Sequence, residues 1–149
     1  MVIIRDDLIG QSPASPYCPT YMDYRIQADE GSMYNTPNTF GIYVCGKIFR
    51  WIEETGGLIA MEQRNRAKAD LLYNLLDNSE LFCGTAQKDS RSIANVTFRT
   101  PSKELDAEFI AGAAQRGIAN IKGHRVAGGI RASIYNAVAL ERVRALAAW

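Results

Sequence analysis

The chain concentrates its most chemically capable side chains in residues 123–131, which read Gly-His-Arg-Val-Ala-Gly-Gly-Ile-Arg. The sole histidine, His124, stands there with Arg125 and Arg131. An arginine guanidinium binds carboxylate or phosphate through two parallel hydrogen bonds, and glycines let the backbone approach a ligand closely. Two such groups this close together suit a small molecule with two anionic ends. A hairpin that carries surface arginines explains the same spacing equally well.

A second possible anion site lies in residues 33–37, Met-Tyr-Asn-Thr-Pro, directly before a predicted helix. Thr36 suits the N-cap of that helix, and Pro37 suits its first position. A helix N-terminus offers free N–H groups and the positive end of the helix dipole, so it can bind phosphate. Asn35 and Thr36 would add side-chain donors. Most such residues only cap a helix, and that structural role remains the alternative.

Apolar residues at spacings of three and four predict the two helices that connect these sites to the rest of the chain. The first, residues 38–54, is apolar around most of its circumference, which predicts a buried helix with Cys45 in the core. We expect it to end at Gly56. The second, residues 58–77, is long and amphipathic, as expected of an element that bridges two layers. The β-branched run in residues 1–5 predicts a strand buried on both faces.

The remaining residues have the pattern of a small α/β unit. Short strands are expected at residues 95–100, 118–121 and 129–135. Ser102 should cap a helix that stops at Gly117, and Asn136 should cap a last helix that runs to Trp149.

The composition of the chain excludes several classes of protein. The 149 residues are 47% hydrophobic and carry a formal charge of +1, so no strongly basic surface for nucleic acid or membrane is indicated. Three widely spaced cysteines argue against a disulfide framework or a zinc site and indicate a reducing compartment. No stretch is apolar and long enough to span a bilayer, and no signal peptide is evident. We expect a cytoplasmic protein without a metal site and with neither nucleic acid nor membrane as a partner.

Three segments together resemble one family. They are residues 32–40 (Ser-Met-Tyr-Asn-Thr-Pro-Asn-Thr-Phe), residues 51–57 (Trp-Ile-Glu-Glu-Thr-Gly-Gly) and residues 123–136, which contain Gly-His-Arg and Gly-Gly-Ile-Arg-Ala-Ser-Ile-Tyr-Asn. In this order and spacing they resemble the phosphoserine aminotransferases, pyridoxal-phosphate-dependent transferases of fold type I. The resemblance covers essentially the whole chain. It implies an α/β fold in which a small antiparallel or mixed sheet is flanked by helices, with a long connecting helix.

The resemblance also implies an activity and roles for particular residues. The activity is reversible amino transfer between phosphoserine and 2-oxoglutarate, with glutamate as the other amino acid, in serine biosynthesis. Asn35 and Thr36 match residues that bind the phosphate of pyridoxal 5'-phosphate in the partner subunit of a homodimer. Arg131 matches the arginine that binds the substrate α-carboxylate. His124 and Arg125 match a pair near the substrate's phosphate or distal carboxylate.

The resemblance implies that the family's Schiff-base lysine would lie upstream of Met1, so we expect no counterpart of it in this chain. None of the lysines present matches its motif; they are Lys47, Lys68, Lys88, Lys103 and Lys122. We therefore expect no catalytic residue in the chain and no turnover by the chain alone, with binding of the cofactor by the chain alone in doubt. The chain is expected to be a C-terminal portion of such an enzyme.

The resemblance predicts a division into a remnant of the large cofactor-binding domain (1–57), the connecting helix (58–78) and a small C-terminal α/β domain (79–149). Apolar faces left uncovered by this division should promote association. A homo-oligomer is therefore expected. Two alternatives stay open: a non-catalytic anion-binding or dimerisation module derived from such an enzyme, and a different fold type I transaminase.

Overall fold

The computed structural model describes residues 2–149 and divides into two compact units, one ending at Phe49 and one running from Arg50 to Trp149. Within this range the α-helices are α1 (Tyr24–Asp29), α2 (Thr39–Glu54), α3 (Gly57–Asp77), α4 (Lys103–Gln115) and α5 (Leu140–Ala147). The strands are β1 (Cys83–Gly84), β2 (Asn95–Arg99) and β3 (Ile130–Ser133). The predicted α/β architecture with a small sheet and a long helix is confirmed.

The N-terminal unit consists of loops, two short 3-10 helices, α1 and the part of α2 up to Phe49. Asp23 caps α1 by accepting a hydrogen bond from the Arg25 N–H at 2.9 Å. The predicted strand over residues 1–5 is wrong for its described part, and Met1 lies outside the described residues. Residues 2–5 form no strand, and Ile3 is 87% exposed. A β-branched run becomes a strand only where a neighbour accepts its backbone hydrogen bonds.

Helix α2 has the predicted extent, but its predicted burial is wrong. None of its residues is buried, and Ile42 and Phe49 are more than half exposed. Cys45, expected in the core, is exposed as well. Periodicity correctly predicts the helix, because it reports local backbone geometry, but it does not identify an element that would cover the apolar face.

A three-stranded antiparallel sheet of order β1-β2-β3 organises the second unit. Val96 pairs with Ala132 and Phe98 with Ile130, so these four side chains share the buried face of the sheet. The strands predicted at residues 95–100 and 129–135 are therefore confirmed in substance. The strand predicted at residues 118–121 is wrong: none of these residues is in a strand, and a single bridge joins the next residue, Lys122, to Ile130.

Helix α3 provides the other wall of the core. Its buried face consists mainly of apolar residues with two polar exceptions, Asn65 and Lys68; the full set is Met61, Asn65, Lys68, Ala69, Leu72, Tyr73 and Leu76. This face packs against the sheet and against α5, so burial of apolar surface is what fixes the sheet on the helix.

Helix α4 begins and ends as its sequence predicts. The Ser102 hydroxyl accepts a hydrogen bond from the Leu105 N–H at 3.2 Å, and Gly117 ends the helical segment with a φ of 76°. Its Phe109 ring meets the rings of Phe82 and Trp149 at centroid distances of 5.0 and 4.3 Å. Aromatic packing thus joins α4 to the rest of the core.

Helix α5 is shorter than predicted and has a different N-cap. It begins at Leu140 with Ala139 at the cap position. Asn136, the expected cap, instead accepts a hydrogen bond at its side-chain oxygen from the Asn65 amide at 2.7 Å. The Asn136 side chain thus forms a hydrogen bond with a residue of α3, and its residue type alone could not indicate this.

An ion pair fastens the C-terminal end of α3 to the segment before β2. Arg91 donates to both carboxylate oxygens of Asp77, in one case at 2.9 Å, and its guanidinium lies 4.5 Å from the Tyr73 ring centroid. Hydrogen bonding to Arg91 lowers the pKa of the Asp77 carboxyl from its ordinary value. The folded protein therefore binds this proton less tightly than the unfolded chain does. The ion pair therefore stabilises the fold fully at pH values above the pKa that Asp77 has in the unfolded chain. This stabilisation is lost as the pH falls through the lower pKa that Asp77 has in the folded protein.

We expect Asp77→Asn to lower the free energy of unfolding at pH 7. The difference from the native chain should shrink as the pH falls below about 4, where an ordinary aspartate becomes protonated. Urea titrations across this pH range measure both curves. Asp70→Asn is the matched control, because Asp70 is exposed on the same helix and forms no ion pair among residues 2–149. A pH-independent difference for Asp77→Asn would contradict the assignment.

Candidate functional site

Residues 121–131 fold back on themselves, so that the candidate side chains belong to a single loop and the strand that follows it. Two backbone hydrogen bonds close the loop: the Gly123 N–H donates to the Gly129 carbonyl at 2.8 Å, and the Arg131 N–H donates to the Ile121 carbonyl at 2.7 Å. The hairpin proposed from the sequence as the structural alternative is therefore present. It is also the scaffold on which an anion site would be built.

Glycines shape the tip of this loop. Gly128 and Gly129 have φ values of 70° and 69°, in the left-handed region that favours glycine. The Gly128 N–H donates to the His124 carbonyl at 2.7 Å, which tightens the turn. A Cβ on Gly129 would lie 2.9 Å from the Phe98 carbonyl oxygen, so the loop approaches β2 as closely as backbone permits.

His124 and Arg125 lie at the start of the loop with exposed side chains. The His124 Nδ1 accepts a hydrogen bond from the Val126 N–H at 3.3 Å. An imidazole that accepts at Nδ1 carries its proton on Nε2 when neutral, so its donor faces away from the loop backbone. Both residues are therefore free to meet a ligand from solvent.

Arg131 occupies the second position of β3, opposite Thr97 of β2. Its neighbours Ile130 and Ala132 enter the core, so the half-buried arginine side chain belongs to the opposite face of the sheet. The Arg131 Nε is buried and has no hydrogen-bond partner in the described part of the chain. An unpartnered buried donor costs about 1–3 kcal/mol, and more when it is charged. A carboxylate or phosphate ligand would remove that cost.

Polar side chains cover the sheet face that carries Arg131, and the sequence did not single them out. The Thr97 and Thr85 hydroxyls share a hydrogen bond, the Ser133 hydroxyl donates to the Asn95 side-chain oxygen at 3.0 Å, and the Asn95 amide donates to the Tyr135 hydroxyl at 2.8 Å. The alternation in residues 95–100 predicted that Thr97 faces away from the core. Its placement opposite Arg131 needed the strand register, which the sequence does not provide.

Asn35 and Thr36 lie in the N-terminal unit, in an exposed loop between α1 and α2. The expectation that Thr36 caps α2 is wrong: the helix begins at Thr39, and the Asn38 side-chain oxygen accepts a hydrogen bond from the Gly41 N–H at 2.9 Å. The Asn35 amide donates to the Thr36 carbonyl at 3.1 Å. Because Asn38 takes the capping role, the exposed side chain of Thr36 is not used to begin the helix.

The described residues contain no cluster of three or more histidine, cysteine or acidic side chains that could hold a metal ion. Across the same residues, no helix combines the length and the apolar character needed to cross a membrane.

Comparison with known proteins gives one consistent family. The aminotransferase class-V model matches residues 1–146. Phosphoserine aminotransferases from Stutzerimonas stutzeri and Azotobacter vinelandii are 54% and 53% identical over all 149 residues, which correspond to 41% of each relative. The chain therefore spans about two fifths of the length of the curated relatives it matches.

Solved structures agree with the sequence comparison. Phosphoserine aminotransferase from Bacillus circulans subsp. alkalophilus superposes with a TM-score of 0.88 at 45% identity, covering 97% of this chain and 40% of that one. The pyridoxal-phosphate-bound enzyme from Trichomonas vaginalis gives a TM-score of 0.84 at 43% identity, covering 91% of this chain and 39% of that one. At these identities the similarity extends beyond the fold to the sequence itself.

Proposed function

Because the chain belongs to the aminotransferase class-V family, we propose that it is part of a pyridoxal-phosphate-dependent phosphoserine aminotransferase of serine biosynthesis. Such an enzyme transfers an amino group reversibly between phosphoserine and 2-oxoglutarate. The observation that carries the proposal is the buried, unpartnered Nε of Arg131, on the strand that follows an exposed histidine and arginine. A substrate with two anionic ends matches that arrangement of donors.

We assign Arg131 to the substrate α-carboxylate, and His124 and Arg125 to the phosphate of phosphoserine or the distal carboxylate of 2-oxoglutarate. The half-buried position of Arg131 favours a planar carboxylate bound through two hydrogen bonds, because partial exclusion of water strengthens such a pair. The exposed pair His124 and Arg125 favours a tetrahedral, more strongly hydrated group such as phosphate. Binding at both ends would orient the amino group between them.

We assign Asn35 and Thr36 to the phosphate of pyridoxal 5'-phosphate in the partner subunit of a homodimer. An amide and a hydroxyl in an exposed loop fit this role, because both can donate to phosphate oxygens from a second subunit. The cofactor, when bound, supplies the electron sink for amino transfer. The uncovered apolar residues of α2 are consistent with such a dimer.

No lysine of this chain is assigned to the cofactor. The Lys68 ammonium donates to three backbone carbonyls, Lys47 lies over the Tyr43 ring, and Lys88 pairs with Asp77. We propose residues 1–57 as part of the large domain, residues 58–78 as the connecting helix and residues 79–149 as the small domain. A cytoplasmic location fits the three free cysteines, which indicate a reducing compartment.

A non-catalytic anion-binding or dimerisation module is the second candidate function. The exposed apolar face of α2 favours association. Turnover distinguishes the two candidates.

A chimaeric enzyme tests the proposal directly. The segment of the Stutzerimonas stutzeri enzyme that aligns with this chain is replaced by residues 1–149, and glutamate formation from L-phosphoserine and 2-oxoglutarate is measured with added pyridoxal phosphate. We expect turnover by the chimaera and none above background by the 149-residue chain alone. A folded, cofactor-loaded chimaera without activity would contradict the proposal in favour of the binding module.

A further inference from the structure

Lys68 is the one charged residue in the core of the second unit, and the proposed reaction does not use it. It is 2% exposed, although lysine is rarely buried so completely. Its Nζ donates to the carbonyl oxygens of Ile134, Tyr135 and Val138 at 2.8, 2.8 and 3.0 Å. No carboxylate in the described part of the chain pairs with it. The ammonium is stabilised by backbone carbonyls instead of a counter-ion.

The three carbonyls belong to the segment of residues 134–138, which follows β3 and begins three residues after Arg131. The same segment is held at two further points. The Ile134 N–H donates to the Ala94 carbonyl at 2.9 Å, and the Asn136 side-chain oxygen accepts a hydrogen bond from the Asn65 amide. Asn65 and Lys68 are one helical turn apart on α3, so both polar residues of its buried face contact this segment.

Three carbonyl oxygens that converge on one point repel each other unless a donor lies between them. A lysine ammonium has three N–H groups and matches this number. Burial lowers the pKa of Lys68 from its ordinary value, because the buried ammonium has lost its contact with water. The three hydrogen bonds to carbonyl oxygens offset that cost and favour the charged form. An apolar side chain of similar length could fill the volume but could not hold the carbonyls together.

We propose that Lys68 is a positioning residue which, through residues 134–138, fixes the end of β3 and so directs the Arg131 guanidinium toward the substrate carboxylate. This inference rests on the proposed function. It gives Lys68 a specific consequence: loss of the ammonium should impair recognition of the carboxylate while leaving recognition of phosphate by the separate loop residues His124 and Arg125 unchanged.

The test compares two ligands that differ by one carboxylate, L-phosphoserine and O-phosphoethanolamine, by calorimetric titration of the full 149-residue chain. For Lys68→Met we expect the dissociation constant of L-phosphoserine to rise about tenfold, because small errors in placement are costly in an oriented site. That of O-phosphoethanolamine should stay within about twofold, since no part of its recognition depends on Arg131. Lys103→Met is the matched control, exposed on α4 and expected to change neither value.

Asn136→Ala is the milder variant, because Asn136 is exposed and its replacement removes only the hydrogen bond from Asn65. It should raise the dissociation constant of L-phosphoserine about threefold and leave that of O-phosphoethanolamine unchanged. Equal effects on both ligands, or no effect on either, in both variants would overturn the positioning role. A native chain that binds L-phosphoserine no more tightly than O-phosphoethanolamine, or binds neither, would instead overturn the carboxylate site on which the inference depends.

Discussion

Gly123→Ala is expected to lower the free energy of unfolding of the second unit by about 3 kcal/mol, at the upper end of what overpacking costs. A Cβ at this position would collide with the backbone carbonyl oxygen of Gly128 and lie 2.7 Å from that of Gly129. Backbone atoms cannot move aside as a flexible side chain can. The loop must open, and the hydrogen bond from the Gly123 N–H to the Gly129 carbonyl is then lost.

The same substitution should remove measurable affinity for L-phosphoserine, because the opened loop carries His124 and Arg125. Urea denaturation and calorimetric titration measure the two effects. Gly46→Ala is the matched control: it lies within α2, a Cβ there would meet nothing within 4 Å, and alanine is the better helix former by about 0.5–1 kcal/mol. A Gly123→Ala chain as stable as the native chain would contradict the loop geometry.

Arg131→Ala is expected to raise the dissociation constant of L-phosphoserine about 100-fold, the equivalent of one or two charge-assisted hydrogen bonds. Because we assign Arg131 to the carboxylate, the affinity for O-phosphoethanolamine should remain close to the native value. Arg131→Lys should recover only part of the loss, since an ammonium cannot reproduce the two parallel hydrogen bonds of a guanidinium.

Arg142→Ala provides the control for a general loss of positive charge, because Arg142 is exposed on α5 and lies outside the hairpin of residues 121–131. It should leave both affinities unchanged. If Arg131→Ala and Arg142→Ala weakened the binding of L-phosphoserine to the same extent, the affinity would come from non-specific electrostatic attraction. That result would contradict the assignment of Arg131 to the carboxylate.

Local signals in the sequence were sufficient where a residue's role depends on its near neighbours. Ser102 caps α4 and Gly117 ends it, as their types predict, and the apolar spacing in residues 58–77 correctly predicts α3. In each case the determining contacts lie within a few residues, so sequence separation and spatial separation coincide.

Predictions failed where a distant partner decides the outcome. Asn136 has the right type for an N-cap, but Asn65, on a helix 71 positions away in sequence, donates to its side chain. Cys83 and Gly84 form an edge strand too short to show a periodic pattern, and only pairing with β2 defines it. The extent of α2 could be predicted from its apolar spacing, whereas its exposure could not.

The residues of the candidate site also differ in whether near neighbours or distant partners determine their roles. His124, Arg125 and Arg131 could be selected from their types and spacing because one short hairpin contains all three. The register that sets Thr97 opposite Arg131, and the contact between Lys68 and residues 134–138, depend on long-range packing. These supporting residues are therefore visible only in the folded chain.

The most direct measurement of the central claim follows the Arg131 Nε–H in ¹H–¹⁵N spectra while L-phosphoserine is added, with the signal assigned by Arg131→Lys. The account predicts that this N–H shifts progressively and saturates with L-phosphoserine, and that O-phosphoethanolamine leaves it nearly unchanged. A signal that does not move while L-phosphoserine binds elsewhere would contradict the claim that the Arg131 guanidinium, whose Nε is buried and unpartnered among the described residues, receives a substrate carboxylate.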